Sequence, residues 1–138
     1  MALLVDSGPL YAYVDADDAH HAASLRLLQH HPGPLLVPVL VIAEVAYLLA
    51  ARLGATAEVR FLGDLAGGAL TTVDVEPVDW LRIAALVARY ADLVLGTVDA
   101  SVVAAAERLG IDTIATLDRR HFGVVRPSHI DSFLLVPD

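Results

Sequence analysis

Residues 98–118 read VDASVVAAAERLGIDTIATLD, and this stretch decides the fold. Its first half places apolar residues on one helical stripe: Val98, Val102, Ala105, Ala106 and Leu109. Gly110 ends the helix, because glycine readily adopts the backbone conformation that follows a helix. Residues 113–117 then form a short apolar run that predicts a buried strand, and Asp118 follows it directly. A helix that leads into a buried strand is the repeating unit of an α/β protein.

The rest of the chain shows the same alternation of short apolar runs and helical patterns. The runs that predict strands are residues 2–5, 35–37, 70–75, 113–117 and 132–136. The patterns that predict helices are residues 18–30, 40–52, 56–66, 77–90 and 98–109, and Ser7 is predicted to cap a further helix near the start. This order predicts a mainly parallel sheet in a three-layer α/β/α sandwich. Because no linker or repeat interrupts it, residues 1–138 are predicted to form one domain.

The composition limits the environments that suit the chain. It has 138 residues, 57% of them hydrophobic, and a mean hydropathy of +0.62. The most apolar stretch, residues 34–53, contains Glu44, and a charge near the centre of a bilayer costs roughly 3 kcal/mol. We therefore interpret it as a buried strand and helix and expect no membrane association. Only the four apolar residues 2–5 separate Met1 from Asp6, too few for a signal peptide, and there is no cysteine, so a cytoplasmic protein is expected.

The charge balance is acidic, with 17 acidic and 9 basic residues and a formal net charge of −8. This balance alone argues weakly against a nucleic-acid partner. All nine basic residues are arginine, however, and Arg119, Arg120 and Arg126 fall within eight residues. The absence of lysine counts against receiver-type signalling modules and haloacid-dehalogenase-like phosphatases, whose chemistry relies on a lysine near the phosphoryl group.

Two acids follow predicted strands directly. Asp6 comes after residues 2–5, and Asp118 comes after residues 113–117. Ligands of open α/β sheets bind at the carboxyl ends of the strands, so both carboxylates are placed where chemistry is expected. Either acid alone is more often a helix cap or a turn residue, but the occurrence of both at the same kind of position makes that explanation weaker.

Glu44 and Asp99 lie in predicted helices. Glu44 is surrounded by apolar residues on every helical face, so it needs a cation, a proton or a partner such as a distant arginine. Asp99 falls in the first turn of its helix, where an acid also suits the helix dipole. Asp92, seven residues earlier, is a candidate for the loop that leads to the same pocket.

Four converging carboxylates would require a counter-ion. Each close pair repels by roughly 4 kcal/mol at an effective dielectric constant of about 20. Mg²⁺ or Mn²⁺, which prefer oxygen ligands, would relieve this repulsion. Such a site suits phosphodiester hydrolysis, because the metal activates water and stabilises charge on the phosphate.

Four segments, taken in order, resemble a known family. They are Val5-Asp6-Ser7, Ala43-Glu44-Val45, DLVLGTVDAS at residues 92–101 and ATLDRRHF at residues 115–122. Each segment alone is weak, whereas the ordered set of four is specific. The chain resembles PIN-domain ribonucleases, and most closely the VapC-type toxins of toxin–antitoxin pairs, over essentially its whole length.

The resemblance implies a five-stranded parallel sheet of order 3-2-1-4-5 and Mg²⁺-dependent endoribonuclease activity, with Mn²⁺ as the expected substitute. It also implies a homodimer and inhibition by a cognate antitoxin. On the family pattern Asp6 and Asp99 are the direct metal ligands, and Glu44 and Asp118 complete the acidic pocket.

Residues beside the acids are candidates for supporting roles. Arg119, Arg120 and His121 follow Asp118 directly and are predicted to hold RNA phosphates, although a solvated turn paired with Asp112 or Asp131 explains them equally well. Two hydroxyl residues, Ser7 and Thr116, are predicted to hydrogen-bond waters on the metal. The alternative function is a non-catalytic α/β module that binds RNA or a protein.

Overall fold

A computed structural model describes all 138 residues. Its five strands form one parallel sheet of order β3-β2-β1-β4-β5, which confirms the expected topology. The strands are β1 Leu3–Val5, β2 Leu35–Pro38, β3 Thr71–Val73, β4 Thr113–Ala115 and β5 Leu134–Val136. No helix of the chain combines the length and the apolar character needed to cross a membrane.

Seven α-helices connect and cover the strands. They are α1 Ser7–Val14, α2 His21–His30, α3 Val39–Leu53, α4 Ala55–Ala66, α5 Pro77–Arg89, α6 Thr97–Leu109 and α7 Arg119–Val124. A single 3₁₀ turn, Ala91–Leu93, lies between α5 and α6.

The core surrounds the central strand and helix α6. Every residue of β1 is fully buried, as expected for a strand that is covered on both faces. Helix α6 is buried over all residues from Ala100 to Ala106, so it packs on more than the single predicted stripe. Its small side chains permit close approach on several sides, whereas Leu109, predicted to be part of the stripe, is 41% exposed.

The register of β1 against β4 positions the strand-end acids. Val5 lies opposite Ala115, and the next amide, that of Asp6, donates to the Ala115 carbonyl at 2.9 Å. The chain therefore leaves both strands at the same edge of the sheet. Asp6 and Asp118 follow at this edge, as the strand-end argument requires.

Several predicted boundaries differ from the structure. The first helix begins at Ser7 with Asp6 as its cap residue, and the Asp6 side chain makes no capping hydrogen bond because it points to the interior. Helix α4 begins at Ala55, before Thr56, because Gly54 takes the cap position with a positive φ of 91°. Helix α2 begins only at His21, since the Asp18 side chain accepts the His20 amide and forms a turn.

The turn predicted after Asp118 is a helix. The Oδ1 atom of Asp118 accepts the backbone N–H of His121 at 2.9 Å, which caps α7 at its first turn. Helix α7 has only six residues, of which Phe122 is buried in the core, so its hydrophobic pattern was too short to predict it.

Ion pairs join α5 to α6. The Arg82 Nε atom lies 2.7 Å from Glu107 Oε1, and the Arg108 Nε atom contacts both carboxylate oxygens of Asp79 at 3.0 and 3.2 Å. Asp79 is buried and also accepts the Glu76 amide at the start of α5. This helix pair is therefore fixed by charge as well as by apolar packing.

Candidate active site

Asp6 is the most deeply buried acid of the site, with only 4% of its surface exposed. Its Oδ2 atom accepts a hydrogen bond from the Thr116 hydroxyl at 2.9 Å, whereas Oδ1 is buried without any partner. Burial raises the pKa of Asp6 to about 6, and the charges of Asp99 and Glu44 add to the increase against the opposing hydrogen bonds from Ser7 and Thr116. A buried, unpartnered carboxylate oxygen calls for a cation or a proton.

Asp99 lies in the first turn of α6, as predicted. Burial is the main cause that raises the pKa of its carboxyl group, and the Asp118 and Glu44 carboxylates add to the increase. His121 acts in the opposite direction, since its Nδ1 atom lies 3.7 Å from Asp99 Oδ2. The charge of Asp99 thus interacts with those of all three other predicted acids, because it also contributes to the raised pKa of Asp6.

Asp118 and His121 form a close pair at the start of α7. The Nδ1 atom of His121 contacts Asp118 Oδ2, and its Nε2 atom lies 2.9 Å from the Leu93 carbonyl oxygen. The pKa of His121 is raised, mainly by its hydrogen bond to Asp118. Both ring nitrogens of His121 therefore face oxygen atoms of the protein, and its contact with RNA phosphates stays a prediction.

Three residues are close enough to share one ion. One ligand atom from each of Asp99, Asp118 and His121 lies within 4.8 Å of the other two. Asp6 lies deeper at the same edge of the sheet, and its charge is coupled to that of Asp99.

Glu44 lies at the rim of the site. Its residue is exposed on α3, and its charge contributes to the raised pKa of both Asp6 and Asp99. No arginine pairs with it, so the alternative explanation of a distant salt bridge does not hold. The apolar surroundings of Glu44 in the sequence belong partly to exposed helix surface, on which Tyr47 is 72% exposed.

Thr116 links two of the acids. Its buried hydroxyl donates to Asp6 Oδ2 at 2.9 Å and accepts the backbone N–H of Asp118 at 3.0 Å. The hydroxyl proton is therefore donated to Asp6, and a contact between the Thr116 oxygen and metal-bound water stays a prediction. Ser7 acts on Asp6 through a backbone hydrogen bond, and Asp92 is exposed and makes no hydrogen bond or ion pair with the other acids.

The comparison with protein families covers the segments that carry these acids. A family model described as the PIN domain matches residues 3–126, which span most of the chain and all four acids. The chain is a PIN-domain protein.

Relatives place this PIN domain in the VapC group. It is 37% identical to Ribonuclease VapC26 of Mycobacterium tuberculosis over 135 residues, which cover 98% of this chain and all of that protein. The crystal structure of M. tuberculosis VapC20, a sarcin-ricin loop cleaving toxin, matches with a TM-score of 0.76 and 23% identity over 81% of this chain and 86% of that one. The structure of VapBC2 from Rickettsia felis bound to a promoter DNA fragment matches with a TM-score of 0.70 and 14% identity, and it covers 99% and 98% of the two chains.

Arg119 and Arg120 differ in whether their guanidinium groups are free to contact RNA. The Nη2 atom of Arg119 donates to the Pro137 carbonyl at 2.6 Å and more weakly to the Leu135 carbonyl, so Arg119 fixes the last strand to α7. Arg120 is exposed and has no hydrogen bond or ion pair. Neither arginine pairs with Asp112 or Asp131, the partners that the alternative explanation required.

No pattern in the sequence indicates the backbone contribution of residues 90–96. This segment supplies the Leu93 carbonyl to His121, and Val94 within it has a positive φ of 58°. A β-branched residue in this region of φ is an outlier, so no propensity rule indicates it. The one available signal was the position of His121, three residues after a capping aspartate and therefore on the same helical turn.

Proposed function

We propose that this PIN domain is a Mg²⁺-dependent endoribonuclease and the toxin of a type II toxin–antitoxin pair. The observation that carries the proposal is the buried, unpartnered Oδ1 atom of Asp6, whose charge is coupled to those of Asp99 and Glu44. The likeness to a protein named as a ribonuclease supports the same conclusion.

The residues fit a hard divalent cation. We assign Asp6 and Asp99 as its direct ligands, with Glu44 and Asp118 completing the acidic group. Mg²⁺ bound there would activate a water for attack on the phosphodiester and stabilise the charge that develops on the phosphate. Thr116 holds Asp6 and the backbone of Asp118 in place, so the carboxylate oxygens are pre-positioned before the metal binds.

Arg120 is the cation that we assign to the RNA backbone. It follows Asp118 by two residues and is exposed, and no acid of the chain neutralises it. A free guanidinium suits a phosphate because it donates paired hydrogen bonds in a plane. Arg119, which was also predicted to hold RNA, is committed to backbone carbonyls and is assigned a structural role.

We further propose a homodimer and an antitoxin partner. Exposed apolar side chains on α5 supply a surface for self-association, among them Leu81 at 78% exposed and Trp80 at 49%. The R. felis structure is described as VapBC2, and we infer that this chain likewise acts with a cognate antitoxin in the cytoplasm.

Cleavage of single-stranded RNA by the purified protein tests the proposed activity. With Mg²⁺ present, the wild type should cleave, and Asp99→Asn should lose cleavage by about 100-fold or more, because the variant removes a charge from the metal site. Asp17→Asn is the matched control, since Asp17 is an exposed acid in the turn between α1 and α2 and its side chain makes no hydrogen bond or ion pair.

Equal cleavage by Asp99→Asn and the wild type would point to a contaminating nuclease and would contradict the assignment. RNA binding without any cleavage by the wild type would instead favour the non-catalytic module.

A further inference from the structure

The segment of residues 90–96 runs directly into α6 and makes a tight reversal before it. The amides of Leu93 and Leu95 both donate to the Tyr90 carbonyl, at 3.1 and 3.3 Å. Between them Val94 has a φ of 58°, in the left-handed region that β-branched residues avoid. Val94 is 76% exposed, so packing of its own side chain does not explain this conformation.

Two hydrogen bonds hold this segment from the side of α7. The Nε2 atom of His121 lies 2.9 Å from the Leu93 carbonyl oxygen, directly before Val94. The backbone N–H of Arg126, two residues after the end of α7, donates to the Tyr90 hydroxyl at 2.9 Å. The reversal is thus fixed to the helix that Asp118 caps.

The same histidine holds both oxygens of Asp118. Its backbone N–H donates to Oδ1 at 2.9 Å, and its ring atom Nδ1 contacts Oδ2. One residue therefore contacts an acid of the site on one side and, on the other, the backbone that leads to Asp99.

We propose that His121 is a positioning residue that ties residues 90–96 to Asp118 and thereby sets the spacing of Asp118 and Asp99. The proposal rests on the proposed function, in which these acids bind a metal ion. The imidazole ring acts by holding Asp118 and the Leu93 carbonyl in place, and it contacts neither the metal nor the RNA.

Three variants separate the two contacts of the ring. The amide nitrogen of His121→Asn is placed to replace Nδ1 at Asp118, the longer His121→Gln is placed to replace Nε2 at Leu93, and His121→Ala replaces neither. Amide hydrogen exchange of Leu93 and Leu95 in the metal-free protein measures whether His121 stabilises residues 90–96. Titration with Mn²⁺ by calorimetry measures the metal affinity of the acidic site. His30→Ala is the control, because His30 is exposed on α2 and contacts only its own helix.

We expect His121→Ala and His121→Asn to exchange about fivefold faster at these amides, as the loss of one hydrogen bond predicts, and His121→Gln to stay near the wild type. Mn²⁺ affinity should fall about 10-fold or more in His121→Ala, the usual effect of removing a residue that orients a ligand. His30→Ala should change neither measurement.

Unchanged exchange in both His121→Ala and His121→Asn would overturn the proposal. So would a ¹⁴N coupling from a directly coordinated imidazole in the electron paramagnetic resonance of the Mn²⁺-loaded wild type, since His121 would then be a ligand. If His121→Ala fails to fold, the comparison of Asn with Gln decides the same question. If the wild type binds no Mn²⁺, the proposed function fails, while exchange in the metal-free protein still decides whether His121 forms the tie.

Discussion

Burial opposes the ionisation of Asp6 in the metal-free protein. The carboxyl group of Asp6 is buried at the end of the central strand with one oxygen unpartnered, and its pKa of about 6 reflects this effect. In the unfolded chain the same group has a pKa near 3.8, so the folded protein binds its proton more tightly. The raised pKa therefore lowers the free energy of unfolding of the metal-free protein at neutral pH, where the buried Asp6 carboxyl group is ionised.

We predict a pH dependence of stability that belongs to Asp6. Since the folded pKa is raised, stability is lost as pH rises from about 4 through about 6, by roughly 3 kcal/mol in the free energy of unfolding. The raised pKa values of Asp99 and His121 act with the same sign and remain in Asp6→Asn. Urea unfolding of chelator-treated wild type and Asp6→Asn between pH 4 and pH 7 measures the difference.

The wild type should lose more stability over this range than Asp6→Asn does, and saturating Mn²⁺ should reverse the loss in the wild type alone. Two parallel pH profiles would show that the pH dependence of stability does not come from Asp6.

A residue of the site could be predicted from the sequence when its position in a strand or helix could be predicted. Asp6 and Asp99 follow from a strand end and a first helical turn, both of which are readable locally. The roles of Thr116 and His121 could not be predicted in this way, because each depends on which of several oxygen atoms lies within reach after folding. The Leu93 carbonyl could not be predicted at all, since backbone groups carry no sequence signal.

Helices α5 and α6 illustrate stabilisation at the scale of elements. Arg108 pairs with the buried Asp79 and also donates to the Asp74 carbonyl at 2.9 Å, which fixes the start of α5 against α6. Asp99 lies in the first turn of the same helix, so a rigid α6 also serves the acidic site.

We predict that Arg108→Ala lowers the free energy of unfolding by about 3 kcal/mol, because it leaves a buried carboxylate without its partner. Arg89→Ala is the control, since Arg89 is exposed on α5 and contacts only the ring of Tyr90. Chemical denaturation of both variants gives the comparison. A loss below about 0.5 kcal/mol in Arg108→Ala would mean that water replaces the guanidinium at Asp79.

At this scale the sequence predicted elements well and their ends less well. Long patterns such as that of α6 give a clear period, whereas α7 has six residues and one buried side chain. Asp118 follows the strand and also caps this helix, which is the alternative that the sequence leaves open, so its position alone does not reveal the short helix behind it.

At the scale of the whole molecule, helix α5 exposes an apolar face to solvent. We predict that Leu81→Glu converts a dimer to a monomer at micromolar concentration, because a charge in the centre of an apolar interface is costly to desolvate. Val124→Glu is the control, an exposed apolar residue on α7. Light scattering coupled to size exclusion measures the mass, and a wild type that is already monomeric would refute the proposed dimer.

The layered architecture could be predicted from the alternation of strands and helices, but the sheet order came from the family resemblance. Periodicity shows that a strand is buried and does not say which strand lies beside it. The confirmed neighbours of β1 are β2 and β4, and the second pairing joins the two ends of the chain.

That pairing has a consequence for the order of events during synthesis. The hydrogen bond between Asp6 and Thr116 spans 110 residues. Asp6 is synthesised near the start of the chain, so this hydrogen bond cannot form until most of the chain has been made. Contacts of such long sequence separation form late in folding. If the four acids form the proposed site, the nascent chain is expected to have no nuclease activity until the segment that carries Thr116 and Asp118 has been made and has folded onto the first strand.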